Sequence, residues 1–205
     1  MFIRISTIMA EPARIGDGIA YMREEVQPRV EELAGSLGLS MWVDRSSGRA
    51  AVTALWTDRE SLEASSATTA ALRQDVAKRL AGESTVEVFE LAHVHRVKPG
   101  QPGYWSRSVR MDVAANDVDR LIGHFQSTSL PSIEQHDGLV AAVMGVNRED
   151  GKALVTATFD TRQALDASGS ASQERRDKAT SDVPSSSVTS VLDLELVIAG
   201  FRDPT

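Results

Sequence analysis

Four histidines, His93, His95, His124 and His136, are the side chains in this sequence best suited to move a proton near neutral pH. His93-Val94-His95 sets two imidazoles two residues apart, which on an extended strand puts both on one face. A neutral ring there can take up a proton or hold a ligand by a hydrogen bond. Two such rings could also supply two metal ligands, but a site needs a third nearby, and no metal is expected. His93 and His95 are therefore the candidate catalytic residues, and the competing reading is a strand end running into solvent. Trp56 and Phe159 each end a run whose same-face neighbours are small, Ala50 and Ala54 or Ala153 and Ala157. An aromatic ring beside small side chains can wall a pocket or simply fill core. With Tyr21 they are the candidate substrate-binding residues. His124 and His136 fall in helical stretches and read as partly exposed helix residues. Arg4 and Arg107 could bind an anion, but the favoured reading pairs them across neighbouring strands with Glu90 and Asp193.

These residues belong to an internal repeat. Residues 48–65 (GRAAVTALWTDRESLEAS) and 151–168 (GKALVTATFDTRQALDAS) agree at nine of eighteen positions, at an offset of 103. The same offset, ungapped, pairs Arg4 with Arg107, Pro28 with Pro131, Gly35 with Gly138 and Arg45 with Arg148. Two copies are read, 1–96 and 104–200. Residues 97–103 join them, a segment whose two prolines and two glycines suit neither helix nor sheet. The copies differ where chemistry would sit. Tyr21, His93 and His95 stand against His124, Leu196 and Ile198, so the working site is expected mainly in the first copy.

The elements that would position these groups follow from periodicity. Phe2–Met9 and Trp105–Val113 read as strands. Ile15, Ile19, Met22, Val26 and Val30 recur at helical spacing, as do Val118, Ile122, Phe125 and Ile133. Two strands joined by a tight turn follow in each copy, with Asp44–Gly48 and Asn147–Gly151 as the turns. A second helix then opens at Thr57-Asp58-Arg59-Glu60 or Asp160-Thr161-Arg162-Gln163, both with capping-box spacing. The last strands are Thr85–His95 and Val188–Ile198, and the tail after Ile198 is expected to be loosely held. Each copy reads β-α-β-β-α-β, so the fold class is α+β with two ferredoxin-like repeats. One such sheet leaves a face bare, and the other copy is its natural cover, as an intrachain pseudo-dimeric barrel.

Composition narrows the partners. Asp+Glu outnumber Lys+Arg by 29 to 22, for a net charge of −7, so a basic nucleic-acid footprint is not expected. With no cysteine, thiolate metal sites and thiol nucleophiles are excluded. No apolar run approaches the roughly 20 residues of a membrane span, and no secretory signal is read, so the expected compartment is the cytoplasm. The expected partner is a small molecule, bound by a monomer or a homodimer.

Gly35-Ser36-Leu37-Gly38-Leu39, the hairpin, and Leu55-Trp56-Thr57-Asp58-Arg59-Glu60-Ser61-Leu62 resemble the antibiotic-biosynthesis-monooxygenase-like domains of the dimeric α/β-barrel superfamily. In the second copy Gly138 and Phe159 through Leu165 fill those places. The resemblance implies the barrel fold and a small apolar or aromatic ligand. For an enzyme, it implies oxidation by O₂ with no metal or bound flavin, or any other cofactor. Its haem-degrading branch uses an Asn on strand one, and a Trp and a His on helix two. Strand one has no Asn here, and the other two places fall at Ser65 and Ser168 and at Asp75 and Lys178. The alternative is a ligand-binding or scaffold protein that kept the fold without the chemistry.

Overall fold

A computed structural model describes residues 1–202. The first copy runs β1 (Phe2–Met9), α1 (Ile15–Tyr21), α2 (Gln27–Glu31), β2 (Ser36–Asp44), β3 (Arg49–Trp56), α3 (Arg59–Ala64), α4 (Ser66–Arg79) and β4 (Glu83–Arg96). The second runs β5 (Trp105–Asp112), α5 (Val118–His124), α6 (Leu130–Glu134), β6 (Leu139–Asn147), β7 (Lys152–Phe159), α7 (Arg162–Ala167), α8 (Gly169–Asp182) and β8 (Ser187–Ile198). Both copies have the β-α-β-β-α-β order, and the fold is α+β. Hydrogen bonds join the eight strands in the order β1-β3-β2-β8-β5-β7-β6-β4, and this antiparallel ladder closes into a barrel.

The first helix of each copy is interrupted by one wide, π-helical stretch, Met22–Val26 and Phe125–Ser129. Pro28 and Pro131 account for it. A proline has no N–H to offer the carbonyl four residues back, and its ring crowds that carbonyl. The chain therefore widens, so that Gln27 N–H reaches Met22 O and Leu130 N–H reaches Phe125 O. The second helix starts one residue later than the capping-box spacing predicts. Asp58 and Thr161 are the caps, accepting from the N–H of Ser61 and Ala164 at 2.8 and 3.1 Å. Both sit in extended backbone, where their oxygens face the free donors of the first turn.

Both hairpin turns close on a glycine. Gly48 has φ +76°, and a Cβ on it would stand 2.0 Å from the carbonyl oxygen of Ala10; Gly151 stands in the same relation to Val113. Only glycine fits such a close approach with a left-handed backbone.

Two compact units emerge: Met1–Val88 with the segment from Glu195 onward, and Phe89–Leu194. In the first, the end of β8 pairs with β2, Ile198 opposite Met41 and Leu196 opposite Trp42. In the second, the end of β4 pairs with β6, His93 opposite Met144 and His95 opposite Ala142. Length explains the exchange. At 14 and 12 residues, β4 and β8 outrun the eight or nine of the strands in the hairpins, so their far ends need other partners. The first core gathers Ile8, Leu39, Met41, Trp56 and Leu80 with Val197 and Ile198; the second gathers Met111, Phe125, Met144, Phe159 and Leu165.

The segment after Ile198 is held, contrary to the loose tail the sequence suggested. Gly200 N–H donates to Ser40 Oγ, Arg202 N–H to Leu37 O, and Phe201 lies 6.0 Å from the Trp42 ring. It runs so close to β2 that a Cβ on Gly38 (φ +94°) would meet the Gly200 carbonyl oxygen at 2.0 Å. The last part of that tail, residues 203–205, lies outside the described residues.

Candidate functional site

Each unit holds a cavity between its sheet and its helices. Of the thirteen residues that line the first, twelve have their 103-residue counterparts in the wall of the second. The second cavity has a volume of about 60 Å³ and the first about 40 Å³. Strand alternation sends Arg107, Val109 and Met111 of β5 to one face, and Val155, Ala157 and Phe159 of β7 join them. From α8 and the residue before it come Ser168, Ser172 and Arg176, four residues apart and therefore on one helical face. Phe125 and Ser129 enter from the wide turn, and His124 from the end of α5.

His124 is the residue in this wall equipped for acid–base work. Its Nδ1 lies 3.3 Å from an Asp182 carboxylate oxygen, and its Nε2 is buried with no hydrogen-bond partner among the described residues. Burial pulls its pKa below the ordinary 6.5. Asp182 opposes that shift and Lys178 adds to it. The ring is therefore neutral near pH 7, with Asp182 placed to steady an imidazolium. In the first copy the same two positions hold Tyr21 and Arg79, whose guanidinium lies 4.0 Å from the tyrosine ring centroid. The helix-to-helix contact recurs with different chemistry.

Three guanidiniums share the second wall. Arg107 donates through Nε and Nη2 to the two oxygens of Asp193, each at 2.8 Å, as the sequence pairing anticipated. Arg175 donates to Ser132 Oγ and lies 3.2 Å from His136 Nε2; Arg176 donates to Ser172 Oγ at 2.7 Å. Arg4, by contrast, does not pair with Glu90 as anticipated. Arg4 is 5% exposed and donates to Leu62 O and to the hydroxyls of Ser65, Ser66 and Thr69. Glu90 lies on the length of β4 that pairs with β6, opposite Val146, and there it meets Arg148 at 3.8 Å.

Of the five residues singled out from sequence, Phe159 is in a cavity wall. His93 stands edge-on to Phe125 at 5.7 Å, behind that wall, and His95 Nδ1 lies 3.3 Å from a Glu134 oxygen. Trp56 is fully buried, its Nε1 without a hydrogen-bond partner among the described residues and its ring centroid 5.9 Å from the Arg4 guanidinium, and Tyr21 lies under Arg79. Arg73, Arg175, Arg176 and His124 were missed as site residues. The signal was available. Polar residues recur at 65, 69, 73 and at 168, 172, 176, on the helix face that should be apolar. Among the described residues no group of three His, Cys, Asp or Glu could hold a metal ion, and no helix is long and apolar enough to cross a membrane.

The fold matches solved structures at low sequence identity. One is an anthrone oxidase-like protein, with TM-score 0.70 and 17% identity over 98% of this chain and 92% of that one. Another is a ferredoxin-fold protein related to antibiotic biosynthesis monooxygenases from Listeria monocytogenes 4b F2365, with TM-score 0.52 and 10% identity over 96% and 95%. The fold is thus that of the antibiotic-biosynthesis-monooxygenase-like proteins, a tandem-duplicated dimeric α/β barrel. No protein-family profile matches the chain. It is 35% identical over 166 residues to the uncharacterized protein Rv2557 of Mycobacterium tuberculosis (strain ATCC 25618 / H37Rv), covering 81% of this chain and 74% of that protein. It is 31% identical over 205 residues to Rv2558 of the same strain, covering 100% and 86%. The chain belongs to the family of these mycobacterial proteins.

The imidazoles make a pH prediction. Burial lowers both His124 and His136, the latter with help from Arg175. As pH falls, the unfolded chain with its ordinary histidines takes up protons before the fold does. Stability is therefore full above about pH 6.5 and declines below it, toward the lowered folded values. The urea midpoint should drop across that window, and drop less in His124→Gln. An equal drop in the variant would remove His124 from the account.

Proposed function

We propose that the second unit's cavity binds a one-ring phenolic or quinol-type molecule and that His124 is the base that starts its oxidation by O₂. The observation that carries this reading is His124 in the cavity wall, backed by Asp182, with Nε2 unengaged among the described residues. The likeness to monooxygenase-related and anthrone oxidase-like folds supports an oxygenation. Size argues for one ring. An apolar cavity of about 150 Å³ accepts benzene, so at about 60 Å³ even a single ring requires the pliable Met111 and Met144 to give way.

The chemistry lies in the substrate. His124 Nε2 takes a phenolic proton, and Asp182 stabilises the resulting imidazolium. The electron-rich anion reacts with O₂ at a ring carbon, while the guanidiniums of Arg175 and Arg176 offset the negative charge that develops. A quinol and O₂ then give a hydroxyquinone and water. The ring carbon gains one oxygen atom, the second leaves as water, and the substrate loses the four electrons that O₂ accepts. His93 acts only through Phe125, so His93→Ala is expected to keep most of the activity.

A second reading, ligand binding without turnover, is favoured by the three arginines in the same wall, which suit an anionic ligand with an apolar body. Oxygen uptake with a series of quinols separates the two. Wild type should consume O₂, and His124→Ala should lose about 10²–10⁴-fold in rate while still binding the quinol. Binding without uptake in wild type supports the second reading. Uptake unchanged in His124→Ala would end the base assignment.

A further inference from the structure

In the first unit's cavity no arginine has a carboxylate partner among the described residues, whereas in the second Arg107 has one. Arg4 and Arg73 both line it, and among the described residues neither pairs with a carboxylate. Arg4 spends its Nη hydrogens on neutral oxygens, and Arg73 Nη1 donates to the same Thr69 hydroxyl at 3.2 Å. In the second unit the counterpart of Arg4 has Asp193 as its counter-ion; in the first, the corresponding carboxylate, Glu90, is turned to Arg148. A buried guanidinium with a second one beside it and no negative group is costly, because each charge has lost water without gaining an opposite charge.

We propose that this cavity binds a small organic carboxylate, with Arg73 as its direct ligand and Arg4 as a fixed second positive charge. Arg4 is anchored by its hydroxyl and carbonyl contacts and supplies field more than new hydrogen bonds, while Arg73, half-buried at the cavity wall, retains free donors for a carboxylate. The rest of the wall selects against an all-oxygen anion. Ile8, Met22, Val26, Leu39, Val52 and Val76 would press hydrocarbon against phosphate oxygens, but they suit the stem of a short-chain acid. Volume limits that stem. About 40 Å³ holds about three waters at roughly 10–15 Å³ each, the space of an acid of about two to four carbons. This site is independent of the quinol reading, and His124 takes no part in it.

The test is a titration of the full-length protein with sodium butyrate against sodium chloride at matched ionic strength, followed by the NMR methyl signals of Val52, Leu72 and Val76. The signals should shift saturably with butyrate and stay still with chloride. In Arg73→Gln the affinity should fall at least tenfold, while the butyrate-free variant keeps or gains thermal stability, since a like charge beside Arg4 is gone. Arg73→Lys, which keeps the charge, should fall between the two and replaces Arg73→Gln if the latter fails to fold. Methyl signals unmoved at high butyrate in wild type, or shifted equally in both variants, would overturn the proposal. Tighter binding of inorganic phosphate than of butyrate would overturn the carboxylate assignment.

Discussion

Replacing Asp193 with alanine is expected to destabilise the protein by about 3 kcal/mol or more, a large share of a typical domain's stability. Arg107 is 12% exposed and gives two parallel hydrogen bonds to this one carboxylate. The positive charges of Arg107, Arg175 and Arg176 stand together in the cavity wall. Removing the carboxylate leaves these charges together without their nearest counter-ion, and this costs more than the pair itself contributes. Asp193→Asn, which keeps the shape and one acceptor, should cost less. The double change Arg107→Ala with Asp193→Ala should be milder than the two single losses added. Urea unfolding would read all four chains, with the midpoint moving and the slope unchanged. A loss within about 1 kcal/mol for Asp193→Ala would mean that the pair behaves as an exposed one.

Trimming Ile198 to alanine is expected to cost about 2–5 kcal/mol, and the damage should appear far from where the sequence places the residue. Ile198 is 3% exposed, sits opposite Met41 and belongs to the core built around β1, β2 and β3. Although it lies in the second copy of the repeat, its loss opens the first unit. Amide exchange should therefore speed up at Leu39–Val43, with little change at β7 and the hydrogen-bonded part of β6. If protection fell instead across Lys152–Phe159, the exchange of strand ends would be the wrong description.

What was legible in the sequence was whatever depends on one element at a time. Alternation at Leu37, Leu39, Met41 and Val43 gave the first strand of the hairpin, and the offset of 103 gave the second copy. The position of Gly48 marked a turn that only glycine can close. What was hidden depends on which strand lies beside which. Arg4 and Glu90 looked like neighbours because each copy was treated as complete in itself. The excess length of β4 was the clue that Glu90 had passed to another partner. His124 looked bland for a similar reason. Alone it is one histidine on a helix, and it becomes informative only beside Asp182, 58 residues later, with Tyr21 and Arg79 at the matching positions. The wide turns before Pro28 and Pro131 were also missed, since the apolar helical spacing runs through both prolines to Val30 and Ile133 without a break.

The contrast between Tyr21 with Arg79 and His124 with Asp182 bears on how such a protein can change over generations. In an assembly of two identical chains, every substitution is made twice, and a change that suits one pocket is imposed on the other. Here the two pockets are written in different stretches of one polypeptide, so each drifts under its own selection. One can keep a proton-accepting ring while the other trades it for a stacked cation, and neither change needs the other's permission. A duplicated chain is thus free to become a protein with two specialised compartments, where a symmetric pair could only have had one kind.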